Sequence, residues 1–243
     1  MNKTGSVIYP GRDLEAMSFA VNYHKWILRL FKSHIGSHVV EVGAGTGSFS
    51  ELLMQQEPVQ TLSLIEPSQD MYAALDARLE DLQPRVRVAT YNTTFRQAAE
   101  SLKGTRPDTI IYVNVLEHIA DDAAELAAVH DLLEKNGKVL IFVPALRWLY
   151  SAHDKNIGHF RRYAKHELET KCRRAGFEIV HSTYFDFFGV VPWWVNFRLL
   201  RASATSADAV KIYDRYVVSL AERIESAIEP PVGKNVLLVA KKT

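Results

Sequence analysis

The sequence predicts an α/β fold: an open sheet of seven strands, helices on both faces, and a helical insertion before the last strand. Three observations lead there. Short β-branched runs alternate with segments whose apolar residues recur at helical spacing. The first run, Val39-Val40-Glu41-Val42, passes through Gly43-Ala44-Gly45-Thr46-Gly47 straight into a helical pattern bearing Phe49, Leu52 and Leu53. A carboxylate, Glu66, closes the next apolar run about 20 residues later, where folds of this class meet ribose hydroxyls.

Composition sets the outer bounds. A chain of 243 residues with 47% hydrophobic content suits one domain, 1–243, with a substantial core. A formal net charge of +1 supplies no strong field for nucleic acid or an anionic bilayer. The single cysteine, Cys172, excludes an internal disulfide and fits a reducing compartment. Neither a signal peptide nor an apolar run of about 20 residues is evident. The expectation is a cytoplasmic monomer or homodimer with no integral membrane segment and no nucleic-acid partner.

Residues 1–12 are polar, and Pro10-Gly11 reads as a turn. Asp13 is placed to cap a helix over 13–33, with Phe19, Tyr23, Trp26, Ile27, Leu30 and Phe31 near helical spacing. That helix is expected to pack on the sheet edge; Tyr23 and His24 either face a pocket or join the core. After the glycine turn, Thr61–Ile65 is the second strand and ends at Glu66. A helix follows over 68–82 with Met71 in its first turn, Pro84 breaks the pattern, and Val86–Val88 is the third strand, ahead of Asn92. Asp108–Val113 is the fourth strand and ends at Asn114. Asp121 and Asp122 cap the helix over 123–133, with Asn136-Gly137 read as its C-cap. Lys138–Val143 is the fifth strand, stopped by Pro144 and followed by an aromatic turn over 146–150. A helix over 167–174 leads to the sixth strand, Phe177–Tyr184. The insertion, 187–233, holds a helix over 210–227 with Ile212, Tyr216, Val217, Leu220 and Ile224 at helical spacing. Asn235–Ala240 is the last strand.

The chemistry concentrates in two places. In the glycine turn, Glu41 would repel a pyrophosphate and suits a cationic ligand, while Glu66 can accept from two hydroxyls of a diol. The second place is the polar run from His153 to Tyr163, with Asp154, His159, Arg161 and Arg162 between. Imidazole accepts a proton near neutral pH, and guanidinium holds a carboxylate or phosphate through paired bonds. The run equally admits an internal role, with Asp154 tying Arg161 or Arg162 and Tyr163 anchoring the loop.

Together these motifs resemble the class I S-adenosylmethionine-dependent methyltransferases. Val40 to Gly47 is similar to their first motif, (V/L)-(D/E)-x-G-x-G-x-G; Asn114 to Asp121 is similar to their fourth; and Asp154 to Tyr163 fits the D-x-x-x-G-H-x-R-R-Y of one subgroup. The resemblance implies a Rossmann-like seven-stranded sheet whose last strand runs antiparallel between the fifth and sixth, and a lid formed by the N-terminal helix. It implies S-adenosylmethionine as cofactor, bound by Glu41, Gly43, Ala44, Gly45, Gly47, Glu66, Met71, Asn92 and Asn114. Small-RNA 2′-O-methyltransferases and ubiquinone-pathway O-methyltransferases are similar at E-x-x-E-H, and some hold a divalent metal there. In this chain Asn114 stands where the first glutamate would be, so no metal is expected; a site at Glu117 and His118 is the alternative.

The expected reaction is methyl transfer to oxygen or nitrogen of a small molecule, sugar or secondary metabolite. A lipid-linked glycan is the other acceptor class considered. His153 or His159 is the candidate base, and Tyr23, Arg161, Arg162, Tyr163 and Trp193 are candidate acceptor contacts. Trp193 and Trp194 beside Pro192 line an acceptor pocket, meet another subunit, dock on an apolar tail or membrane, or simply pack on the domain.

Overall fold

The computed structural model describes residues 20–202 and 206–243. Seven strands form one sheet: β1 (His38–Val42), β2 (Thr61–Ile65), β3 (Arg87–Tyr91), β4 (Thr109–Val113), β5 (Lys138–Pro144), β6 (Phe177–Phe185) and β7 (Asn235–Lys242). Their order is β3-β2-β1-β4-β5-β7-β6. The first five are parallel, and β7 is antiparallel to both β5 and β6. The chain winds outward from β1 in both directions, so the crevice between β1 and β4 is the switch point where ligands bind in such sheets.

The strands are apolar along their length because both faces are covered. Val39, Leu62, Ile111, Leu140 and Leu237 point to one face, against α1 (Val21–Phe31), α2 (Ser48–Met54) and α10 (Val218–Ala227). Their neighbours Val40, Ile110, Val139 and Leu238 point to the other, against α4 (Phe95–Leu102), α5 (Asp122–Leu132) and α7 (Lys165–Arg174). The remaining helices are α3 (Gln69–Leu82), the short α6 (Ala152–Asn156), α8 (Val190–Trp193) and α9 (Ala207–Ile212). Wide π-type turns extend α8 through Leu199 and join α9 to α10.

Several boundaries differ from expectation. No element is expected between 93 and 107, yet α4 forms there. It has a capping box of Thr94 and Gln97 and only Phe95, Ala98 and Leu102 turned inward, too few apolar positions to stand out in sequence. Asn136-Gly137 does not cap α5, which ends at Leu132; the pair forms the turn into β5, with Asn136 at φ 68°. Pro144 does not stop β5 but ends it as a paired residue opposite Asn235. Asp13 and the start of the expected N-terminal helix lie outside the described residues.

The insertion is tied to α1 by buried charge. Asp214 accepts the backbone N–H groups of Asn22 (3.1 Å) and Tyr23 (2.8 Å). Asp186, fully buried at the end of β6, accepts from the Tyr23 and Tyr213 hydroxyls and the Gly189 amide, and pairs with Lys234 at 2.8 Å. Phe142 packs at the centre of this side, edge-on to Tyr23 and Phe185. Replacing it with alanine should cost about 3–5 kcal/mol in denaturant unfolding, with the slope against denaturant unchanged.

Candidate functional site

The glycine turn and Glu66 converge at the carboxyl ends of β1 and β2. Gly43 and Ala44 donate their amides to the Ile65 carbonyl at 2.8 and 3.0 Å, which folds the turn over β2. The Glu66 carboxylate accepts from the Gly45 amide (2.9 Å) and the Ser68 amide (2.8 Å). Two of its roughly four lone-pair positions therefore stay available for a diol. Gly45 has φ 56°, and a Cβ built there meets no atom within 4 Å. That open space beside a carboxylate fits a nucleoside ligand. Gly43 and Gly47 are also left-handed, but side chains there would strike Val115 and Leu75. Those two glycines are required by packing as well as by backbone conformation, Gly45 by its left-handed backbone alone.

Glu41 lies one turn deeper. It is buried, accepts from the Ser50 hydroxyl at 2.5 Å, and is pushed up to about 8 by burial, against the Ser50 hydrogen bond and with the help of nearby Glu66. A cation bound next to it would draw that value down and recover the charged form. Burial likewise raises Glu66, opposed by its two amide bonds. Asn92 is exposed and donates to the Glu66 carbonyl at 2.9 Å, so it braces the same corner. Met71 is half-buried in the first turn of α3. Asn114 ends β4 at φ 54°, its amide on the Phe142 carbonyl, beside the switch point.

The polar run after β5 is organised by Asp154. This buried carboxylate accepts from the Ser151 amide and hydroxyl at 2.9 and 3.0 Å, from Arg162 Nε at 2.7 Å, and from His159 Nδ1 at 3.0 Å. Burial alone would raise its pKa, but the His159 and Arg162 bonds prevail and hold it at about 2. Because a carboxylate only accepts, His159 carries its proton on Nδ1 and turns the Nε2 lone pair toward Glu117 Oε1, 3.7 Å away. Burial lowers the pKa of His159, partly offset by Asp154, so the ring is neutral at neutral pH.

The remaining loop residues serve mostly as struts. Arg162 is buried, donates also to the Ala145 carbonyl at 3.2 Å, and lies 4.6 Å from the Trp193 ring centroid. Tyr163 is fully buried and donates to Asp122 Oδ2 at 2.8 Å, with the Leu116 carbonyl at 3.2 Å. Arg161 pairs with Asp122 at 2.6 Å and donates to the Ala120 carbonyl. It also borders a cleft of about 360 Å³ with Tyr150, Phe160 and Lys171. His153 is buried and stacked on Phe197, with ring centroids 4.2 Å apart, and is edge-on to Trp193. It is set in an aromatic wall. Tyr23 is buried with its hydroxyl on Asp186 and Asn235 (3.0 Å), so of the two readings for Tyr23 the structure shows core packing. Lys234 escaped the sequence reading; its only signal is a basic residue after Gly233 at the foot of the last strand. Its ammonium sits 4.9 Å from the Tyr23 ring centroid and 5.9 Å from that of Trp193.

Glu117 is the exception in an otherwise satisfied region. It is fully buried, neither carboxyl oxygen has a hydrogen-bond partner among the described residues, and burial pushes it up to about 8. Glu117, His118 and His159 offer three ligand atoms within 4.8 Å of one another. The His118 and His159 rings meet edge-on at 4.5 Å, and burial lowers His118 to about 3. Asn114 removes one carboxylate next to Glu117 in sequence, while His159, 41 residues beyond His118, reaches the cluster only through the fold.

An open α/β sheet with a glycine turn after β1 and a buried carboxylate after β2 is the architecture of a nucleoside-cofactor-binding protein. The chain belongs to the methyltransferase-domain family, whose profile matches residues 17–182. Family and fold together imply S-adenosylmethionine as the cofactor, and the open cradle at Gly45 beside Glu66 fits its nucleoside part. The ubiquinone biosynthesis O-methyltransferase of Pseudomonas aeruginosa is 27% identical over 157 residues, 59% of this chain and 66% of that protein. Its counterpart in Azotobacter vinelandii is 27% identical over 165 residues, 61% and 69% of the two chains. The match thus spans about two thirds of these relatives' length. Two solved structures share the fold. An S-adenosylmethionine-dependent methyltransferase from Archaeoglobus fulgidus has a TM-score of 0.58 and 16% identity, with 94% of this chain and 98% of that one covered. A cyclopropane synthase from Mycobacterium tuberculosis has 0.61 and 15%, with 90% and 84% covered.

Asp154 has a folded pKa below its unfolded value of 3.8, so its contribution to stability is complete above about pH 4 and is lost as pH falls toward 2. Asp154→Asn should remove that acid-side dependence and leave Arg162 buried without its counter-charge. The expected loss near neutral pH is about 3–5 kcal/mol, measured by urea unfolding across the pH range.

Proposed function

We propose that the protein transfers the methyl group of S-adenosylmethionine to an oxygen or nitrogen of a small-molecule, sugar or secondary-metabolite acceptor, in the cytoplasm. The observation that carries this reading is the Gly45 amide on Glu66 at 2.9 Å, facing open space at the carboxyl edge of the sheet. Glu66 would hold the ribose hydroxyls, with Met71 and Asn92 on the adenine side. Glu41, Ala44 and Asn114 would border the methionine part. When bound, the cofactor supplies an electrophilic sulfonium methyl. The chain's own residues must then seat the acceptor and remove its proton.

His159 is assigned the proton. Its Nε2 lone pair is exposed by the Asp154 bond on the opposite nitrogen, and its lowered pKa keeps that lone pair open at neutral pH. His153 is assigned to the acceptor wall with Trp193, and Arg161 to an anionic group on the acceptor. The 27% identity to ubiquinone biosynthesis O-methyltransferases favours a hydroxyl acceptor. A lipid-linked glycan would satisfy the same chemistry.

A second reading is metal-assisted O-methylation, favoured by the unpartnered Glu117 carboxyl between His118 and His159. Glu117 and the two imidazoles would hold a divalent ion, with Asp154 orienting His159 from behind as carboxylates do for metal-bound histidines. A chelator separates the readings: activity that survives it supports His159 as a base, and activity restored only by a divalent ion supports a ligand role.

Two measurements test the main reading. Calorimetric titration with S-adenosylhomocysteine should give saturable binding, weakened by about 1–3 kcal/mol in Glu66→Ala. Absence of heat from folded protein would rule the assignment out. His159→Ala should reduce turnover about 10²–10⁴-fold while cofactor affinity stays near wild type. A variant whose activity tracks only its folded fraction would assign His159 a structural role.

A further inference from the structure

The outer side of the insertion combines apolar exposure with one sign of charge. Along α9 and α10, Ile212, Tyr216, Leu220 and Ile224 recur every fourth residue and are between 41% and 65% exposed. The wide turn Tyr213–Val217 lengthens the local period, so this spacing holds to one side while Asp214, Val218 and Ala221 are buried on the other. On α8 and its extension, Val191, Trp194, Leu199 and Leu200 are exposed as well. The two helices meet through their inner residues, since Trp193 and Tyr213 both lie over the Lys234 ammonium.

Charge is sorted across the same helices. Lys211, Arg215 and Arg223 are exposed on α9 and α10, and Arg198 and Arg201 on the extension of α8. The acids turn inward. Asp214 caps α1, Glu222 pairs with Arg29, and Glu225 accepts the Asp186 and Phe187 amides at 3.0 and 2.9 Å. Asp208 and Glu229 are exposed only at the two ends of the helical segment.

We propose that this face docks on an anionic lipid bilayer. Apolar and aromatic side chains ringed by Lys and Arg are the composition of helices that lie in the headgroup region. A second copy of this chain is the poorer occupant, because a two-fold interface pairs a patch with itself and would set basic side chains against one another. Among the described residues no helix is long and apolar enough to cross a membrane, so the helices lie on the surface. Docking also places the acceptor loop close to the bilayer, because α8 turns Trp193 inward onto Arg162 while presenting Trp194 outward.

The test is co-sedimentation of the full chain with vesicles of phosphatidylglycerol and phosphatidylcholine, against pure phosphatidylcholine. Its readout is independent of methyl transfer, so it stands or falls separately from the catalytic reading. The protein should sediment with the anionic vesicles, stay in the supernatant over the neutral ones, and release from the anionic ones at high salt. Each basic residue near the surface should be worth about fivefold in partition, so R215E with R223E should lower it by more than about tenfold. Leu220→Ser with Ile224→Ser should lower it too; both pairs are exposed and should melt at the wild-type temperature. Folded protein that ignores anionic vesicles, or binds neutral ones equally, would overturn the proposal. Partition unchanged by both pairs would do the same. A dimer in sedimentation velocity that Leu220→Ser with Ile224→Ser dissolves would instead assign the face to a second copy.

Discussion

A carboxylate removed from water must be neutralised by its surroundings, and the acceptor side of this protein is built around meeting that demand at Asp154. Four donors reach its two oxygens from Ser151, His159 and Arg162. The consequences spread outward. The capping box starts α6; Arg162 is drawn beneath Trp193; His159 is forced into one tautomer with its free lone pair pointing at Glu117. A loop that offers so many polar groups in sequence thereby turns several of them to partners within the protein. Arg162 and Tyr163 spend their hydrogen bonds on the protein, and His153 is held among aromatic rings.

Three buried carboxyls show how environment divides one chemistry into separate roles. Asp154, with charged donors, stays ionised at about 2. Glu41, with a single hydroxyl donor, is pushed to about 8, a state that a cation could reverse. Glu117 has no side-chain hydrogen-bond donor among the described residues and is also at about 8. An unsatisfied buried carboxyl is expensive, and such a cost persists where a bound group or reacting atom relieves it. Glu117 lies beside His118 and His159, in the segment that follows β4.

The insertion illustrates how net charge conceals distribution. A balance of +1 over the whole chain argues against a polar field, and in sequence the helix over 210–227 carries acids and bases in similar number. Folding separates them. The acids are used up in holding α1 and the end of β6, which leaves the bases outside together with an apolar row. Asp214, on the α1 amides, and Asp186, at the end of β6 and bound by Tyr213 and Lys234, fix the insertion in place.

The order of the last strand came from the family resemblance; the sequence by itself determined the strands, the glycine turn after the first and the placing of Glu41 and Glu66. These depend on residue type and short-range spacing: β-branched runs for strands buried on both faces, glycine at left-handed φ, and a carboxylate at a strand end. It also supplied the list of loop residues. What it left out was α4, whose eight residues hold only three inward apolar positions, and the inward or outward sense of each loop side chain. Tertiary structure decided that Tyr23 joins the core through Asp186, that His159 rather than residue 114 completes the cluster with Glu117 and His118, and that the insertion's charges sort by face. The reason is common to all three. Each depends on which groups from distant parts of the chain share one low-dielectric space, and hydrogen-bond demand there is settled only when the elements pack.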